Sequence, residues 1–290
     1  MLTPETNIIG NNQALKYKIV MKDIRIAAVM MNCPLGRLRD NLDRMAGWVA
    51  AAKKRGADLI CFPEMNVTGY STRVAIKDSA ERVPGSISQT ILETAREFNM
   101  VILAGLAEKD AKGRLFACHL VVSPQGVVGV YRKIHIAPPE RKIFAPGAGI
   151  PFFEIKGVKF GIQLCYDTHF PELSTRMATD GTEIIFMPHA SPRGTPAEKF
   201  NSWMRHLPAR AFDNGLYVVA CNQVGDNQNG LRFPGIILIL DPSGRIIKKN
   251  IGGKENMVIA DLKARALAGV RNSRMRYFLP NRRPELYGSK

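Results

Sequence analysis

Apolar residues in this chain fall into two kinds of pattern. Short unbroken runs alternate with stretches in which apolar positions recur every three or four residues. "IRIAAVMMN" (24–32), "ADLICFPE" (57–64) and "MVILAGLAE" (100–108) are runs of the first kind. Their lack of strict alternation predicts strands of a sheet covered by helices. "KFGIQLCYD" (159–167), "TEIIFMPHA" (182–190) and "LYVVACNQV" (216–224) are three more. Between them, "RDNLDRMAGWVAAAKKRG" (39–56) places Leu42, Met45, Val49 and Ala52 at helical spacing, with Gly56 as a stop. "SISQTILETAREFN" (86–99) does the same with Ile87, Ile91, Ala95 and Phe98. A further helix is signposted by Thr195 as cap, Pro196 at its first position and Glu198 completing a capping box. Pro208 is expected to kink or end it.

Two segments read as hairpins, "LVVSPQGVVGVYRK" (120–133) and "IILILDPSGRIIKK" (236–249), each with a proline-containing turn between β-rich arms. One lies in each half of the chain. This predicts an α/β fold in which two similar sheets pack face to face with helices outside. The segmentation gives an N-terminal extension over 1–22, one domain over 23–262 and a basic, proline-containing arm over 263–290 that contacts a neighbouring subunit.

The 290 residues, 46% of them hydrophobic, suffice for a sizeable core. No run of 18 apolar residues occurs, so no membrane-spanning helix is predicted. The first 22 residues lack the basic start and apolar core of a signal peptide. Five widely spaced cysteines without a C-x-x-C argue against a disulfide framework or structural zinc, and point to a reducing cytoplasm. The formal charge of +16 is spread out. Residues 242–290 hold 12 Lys and Arg against 3 Asp and Glu, interleaved with apolar residues, which reads as a solvated or subunit-facing surface. Nucleic acid is not the expected partner.

Cys165 ends an apolar run, in "GIQLCYDTHFPE" (161–172). A catalytic thiol needs a base or a positive field, because the thiolate is the nucleophile. His169 stands four residues on. Three charged residues also follow strand-like runs: Glu64 in "ADLICFPE", Lys133 in "VYRKIHI" and Glu140 in "APPERKIF". Ligand sites of open α/β sheets lie at such strand ends. Other candidates have plainer readings. Cys61, Cys118 and Cys221 read as strand packing, and His135 as a structural donor near Lys133. Glu172 and Arg176 read as a helix ion pair. Trp203, Met204 and Leu207 read as a packing face. No glycine loop cradles a phosphate, and no cofactor or metal is expected.

The order F-P-E, Y-R-K, L-C-Y-D with a second F-P-E, and the closing "NRRPELYG" (281–288), resembles the nitrilase superfamily of carbon–nitrogen hydrolases over nearly the whole domain. The resemblance implies a four-layer α-β-β-α sandwich and a homodimer or larger assembly. It implies that Glu64 is the base for Cys165, that Lys133 and the Tyr166 N–H hold the oxyanion, and that Glu140 orients Lys133 or the substrate. His169 then becomes a substrate-side residue. Tyr70, Thr168, Ala190 and Arg193 join it as expected substrate contacts, with Arg193 as an anchor for an anionic group.

Within that superfamily, Tyr166-Asp167 after the cysteine is similar to amidases and carbamoylases, where nitrilases place Trp-Glu. Thr168 and His169 stand where D-carbamoylases carry two arginines. The resemblance therefore implies hydrolysis of an amide or N-carbamoyl amine through a cysteine thioester, releasing ammonia or an amine. Nitrile hydrolysis is the alternative within the class. A non-catalytic binding protein using the basic C-terminal surface is the alternative outside it.

Overall fold

The computed structural model describes residues 21–287, so the expected extension over 1–22 lies outside it except for its last two residues. In chain order the strands are β1 (Ile24–Met30), β2 (Leu59–Cys61), β3 (Val101–Lys109), β4 (Leu115–Ser123), β5 (Gly126–Arg132), β6 (Phe152–Ile155) and β7 (Val158–Ile162). They continue with β8 (Ile184–His189), β9 (Tyr217–Asn222), β10 (Val224–Asp226), β11 (Arg232–Pro234), β12 (Ile237–Leu240), β13 (Ile246–Asn250) and β14 (Asn256–Leu262). The helices are α1 (Leu38–Lys54), α2 (Ser86–Phe98), α3 (Pro171–Thr179), α4 (Pro196–Met204), α5 (Leu207–Asn214), α6 (Ala264–Arg271) and α7 (Pro284–Tyr287).

Two six-stranded sheets result, ordered β14-β1-β2-β3-β4-β5 and β13-β12-β9-β8-β7-β6, with β10 and β11 as a separate ribbon. Both hairpins form, as β4–β5 and β12–β13. At the centre of each sheet three strands run parallel: β1, β2 and β3 in one, β7, β8 and β9 in the other. The residues of β1 show why these runs lack polar alternation. Ile26, Ala28 and Met30 pack between the sheets, while Ala27 and Val29 pack under α1 and α2. Both faces are dry, so both parities are apolar. Met45, Val49, Ile87, Ile91 and Ala95 supply the helix side of that second layer. Leu173, Met177, Leu207 and Ala211 from α3 and α5 cover the other sheet. The chain thus forms an α-β-β-α sandwich.

Two local expectations are revised. The Thr195 cap forms, its Oγ1 accepting from the Glu198 N–H at 3.2 Å, and the helix ends at Met204. Pro208 lies in the first turn of the next helix, α5, where its missing N–H costs nothing. Arg176 pairs with Asp180 at 2.9 Å, one turn further along, rather than with Glu172. After residue 262 the described chain returns to its own body, with Leu267, Tyr277 and Leu279 buried in the main core. Among the described residues, no helix is long and apolar enough to cross a membrane.

Candidate active site

Glu64 follows β2, Lys133 follows β5, and Cys165 lies just beyond β7. All three strands end at the same edge of the sandwich, and two of them belong to one sheet while the third belongs to the other. Lys133 is the centre of the arrangement. Its Nζ donates to Glu64 Oε1 and to Glu140 Oε1, each at 2.9 Å. All three side chains are essentially inaccessible to solvent. Such burial is tolerated because each charge has a partner and the remaining oxygens have donors. Glu64 Oε2 accepts from the Ala190 N–H at 2.9 Å, and the Glu64 carbonyl accepts from Gln223 Nε2 at 2.7 Å. Glu140 accepts from the Tyr70 hydroxyl at 2.8 Å and from the Ala137 N–H at 3.0 Å.

The strand beside Glu64 must carry a glycine. A Cβ on Gly105 of β3 would sit 2.4 Å from the Met65 nitrogen. The absent side chain lets the loop after β2 lie against β3, where the Gly105 N–H donates to Asn66 Oδ1 at 2.7 Å.

Cys165 occupies a sharp turn with φ +43°, in the left-handed region that ordinary side chains avoid. The residue as a whole is half-buried. The turn is held from within by the Thr168 hydroxyl, which donates to the Cys165 carbonyl at 2.7 Å. It is held from outside by Asp167, whose buried carboxylate accepts from the Leu164 N–H at 3.0 Å, the Tyr131 hydroxyl at 2.7 Å and the His135 N–H at 2.8 Å. His135 Nδ1 lies 2.9 Å from the same carboxylate. Asp167 therefore ties the Cys165 turn to Tyr131 and His135, on either side of Lys133. Asp167→Ala would leave these donors without an acceptor. It is expected to cost about 3 kcal/mol or more, read as a lower urea midpoint at constant m.

The electrostatics follow from burial and charge. Burial raises the Glu64 carboxyl to about 7, with Lys133 opposing and Glu140 adding to the rise. Burial alone would lower Lys133, but the two carboxylates outweigh it and hold the ammonium well above its ordinary range. Burial, followed by Glu64, pushes the Cys165 thiol up to about 12. Lys133 and Lys199 pull it the other way. The resting side chain is a thiol, with a carboxylate of near-neutral pKa as its neighbour.

The expected substrate contacts divide into groups. Tyr70, Thr168 and the Ala190 N–H already have partners inside the site: Glu140, the Cys165 carbonyl and Glu64. Among the described residues, the Tyr166 N–H has no acceptor. His169 is exposed and stacks on His206 with ring centroids 4.5 Å apart. Arg193 is exposed at φ +71° in the loop after β8. Reading the sequence alone missed Tyr131, Gln223 and Lys199 and gave Asp167 no role of its own. "VYRK" and "CYD" each contain one of these residues, but no local signal joins them. Among the described residues, no group of His, Cys, Asp and Glu side chains could hold a metal ion.

The chain has relatives in sequence and in fold. A nitrilase from Pyrococcus abyssi is 30% identical over 274 residues, covering 91% of this chain and 99% of that protein. An (R)-stereoselective amidase from a Pseudomonas species is 32% identical over 209 residues, covering 71% of this chain and 73% of that protein. The solved structure of Saccharomyces cerevisiae Nit3, a member of branch 10 of the nitrilase superfamily, shares the fold with a TM-score of 0.80 at 24% identity, over 90% of this chain and 99% of that one. The profile of the carbon–nitrogen hydrolase family matches residues 25–272, and the chain belongs to that family.

Proposed function

We propose that the chain hydrolyses the C–N bond of an amide or N-carbamoyl amine, with Cys165 as nucleophile, Glu64 as base and Lys133 as oxyanion partner. The observation that carries this reading is the buried Glu64–Lys133–Glu140 cluster, whose charges act directly on the Cys165 thiol. A thiol near 12 is not a resting thiolate, so its proton leaves as the sulfur attacks. Glu64 takes that proton while the S–C bond forms. The oxyanion is met by the Lys133 ammonium and the Tyr166 N–H. Collapse breaks the C–N bond, and Glu64 returns the proton to the departing ammonia or amine. Glu64 then takes a proton from water as it attacks the thioester, and the thiol is restored. Glu140 keeps Lys133 charged and in place. His169 and the Arg193 loop form the substrate side of the site.

Glu64 must be ionised to act, so kcat/KM is expected to rise with pH through about 7. Lys133 is held too high to impose a falling limb near neutrality. A flat pH profile between 5 and 9 on an amide substrate would remove Glu64 from the role of base. An ammonia-release screen over amides, N-carbamoyl amines and nitriles, with Cys165→Ala as blank, tests the reaction class. Turnover of nitriles alone would favour the nitrilase alternative.

The five cysteines are unpaired, which supports a reducing cytoplasm. A homo-oligomer completes the reading. Its support is the set of exposed apolar side chains Met275, Leu286 and Tyr287 in the C-terminal segment.

A further inference from the structure

The Tyr166 N–H can meet an oxyanion only if its peptide plane is turned the right way. That N–H belongs to the same planar unit as the Cys165 carbonyl, and in a trans peptide the two point in opposite directions. The Cys165–Tyr166 bond is trans. Whatever holds the carbonyl therefore aims the N–H. Cys165 has φ +43°, a conformation that a residue with a side chain keeps only when its surroundings enforce it. The side chain on its carbonyl is Thr168, whose hydroxyl donates at 2.7 Å. Thr168 is itself fully buried and tied down. Its carbonyl accepts from Arg210 Nε at 3.0 Å, and Arg210 Nη2 donates to the next carbonyl, that of His169, at 3.2 Å. Helix α5, which carries Arg210, thus anchors the residue that anchors the peptide.

A threonine hydroxyl has one proton to give. A second acceptor stands near it, His206 Nε2 at 3.3 Å. The Nδ1 of that ring lies 3.2 Å from the Ser202 carbonyl, which can only accept. Nδ1 therefore carries the hydrogen of the neutral ring, and Nε2 keeps its lone pair. Burial, helped by His169 and Arg210, holds the ring neutral by lowering its pKa to about 4. Of the two acceptors the Cys165 carbonyl is the nearer and takes the proton. A peptide polarised at its carbonyl is also a stronger donor at its N–H.

We infer that Thr168 is a positioning residue for the oxyanion site: its hydroxyl, acting through the Cys165 carbonyl, aims and polarises the Tyr166 N–H toward the developing charge. This rests on the cysteine mechanism proposed above. Thr168, expected from the sequence as a substrate contact, acts instead on the nucleophile's own peptide. Its help is felt where charge develops, so it belongs to the transition state and not to substrate binding.

The test uses the full chain and the best amide of the ammonia-release screen. Thr168→Val keeps the shape of the side chain and removes the hydroxyl, whereas Thr168→Ser keeps the hydroxyl. Thr168→Val is expected to lower kcat on the order of 10- to 100-fold, less than the loss of a whole oxyanion donor, with KM within about threefold of wild type. Thr168→Ser should recover most of the loss. Alkylation of Cys165 by iodoacetamide forms an S–C bond and expels iodide without making an oxyanion, so in Thr168→Val its rate should stay within about twofold of wild type. A kcat within about twofold of wild type in Thr168→Val overturns the inference. So does a loss confined to KM, which would return Thr168 to the substrate. So does a parallel loss of alkylation, which would mean that Thr168 holds the thiol itself, or a Thr168→Ser variant that recovers nothing. Should Thr168→Val not fold, Thr168→Ala, which also lacks the hydroxyl, is read against the same limits. If the wild type hydrolyses no amide, the amidase reading fails, and Thr168 is judged separately on butyraldehyde. That aldehyde adds to Cys165 as a thiohemiacetal: the sulfur bonds the carbonyl carbon and the thiol proton passes to the oxygen, which takes the oxyanion position. Protection of Cys165 from iodoacetamide that needs about 10-fold more butyraldehyde in Thr168→Val than in wild type upholds the inference. Protection that is absent or unaltered overturns it.

Discussion

Cys165→Ala is expected to lower kcat/KM on the best amide by at least about 10,000-fold, because removing the nucleophile of a unit that acts together costs nearly the whole covalent route. What remains in such variants is positioning and oxyanion stabilisation without a bond-forming atom. The fold should persist. The substitution removes a single sulfur atom from a half-buried residue, and alanine tolerates the left-handed turn no worse than cysteine, so neither a large cavity nor new strain is created. The melting temperature should therefore stay close to that of the wild type while ammonia release vanishes. Activity that survives this substitution would overturn the mechanism.

Lys133→Met is expected to strike both activity and stability. Loss of the ammonium removes one of two oxyanion donors, worth about 100- to 1,000-fold in kcat. It also leaves Glu64 and Glu140, both buried, facing each other without a counter-charge. Breaking a buried pair in this way typically costs about 3–5 kcal/mol. The sign of the pH dependence follows from linkage. Burial already raises Glu64, and without Lys133 the main influence opposing that rise is gone, so the folded state holds a proton that the unfolded chain releases. The variant is then most stable below the ordinary carboxylate range and loses stability as pH rises through the raised Glu64 value. Urea midpoints at pH 4.5 and 8 should show a deficit against wild type that widens with pH. A deficit that shrinks toward pH 8 would contradict the assignment of Lys133 as the charge that opposes the rise at Glu64.

Much of the sandwich was legible because its strands and helices obey short-range rules. Met45, Val49 and Ala52 mark a helix by spacing, and Thr195 with Glu198 marks a cap, within a few residues of each other. The candidate residues Glu64, Lys133, Glu140 and Cys165 stood out through motifs, and the structure places them at one edge. What could not be read was which group each side chain touches. Asp167 reaches Tyr131 from 36 residues away, and Ala190 meets Glu64 across 126. Such pairings depend on how two sheets stack, which no local pattern encodes. Nor could the sequence show that the Tyr70 and Thr168 hydroxyls donate to Glu140 and to the Cys165 carbonyl. Pro208 shows a subtler limit, since its ring forbids a helix interior yet suits a helix start, and only the neighbouring break decides between them.

The placement of the reacting groups on two different sheets has a consequence for how the protein can change. Glu64, Lys133 and Glu140 come from the first 140 residues, whereas Cys165, Thr168, His169 and Lys199 come from the second half. The buried carboxylate–ammonium cluster and the turn that carries the thiol are thus supplied by separate stretches of chain. The loop that follows Ala190 can change in length and sequence without touching the side chains of the buried Glu64–Lys133–Glu140 cluster or the Cys165 turn, so that one reaction can be inherited with many specificities.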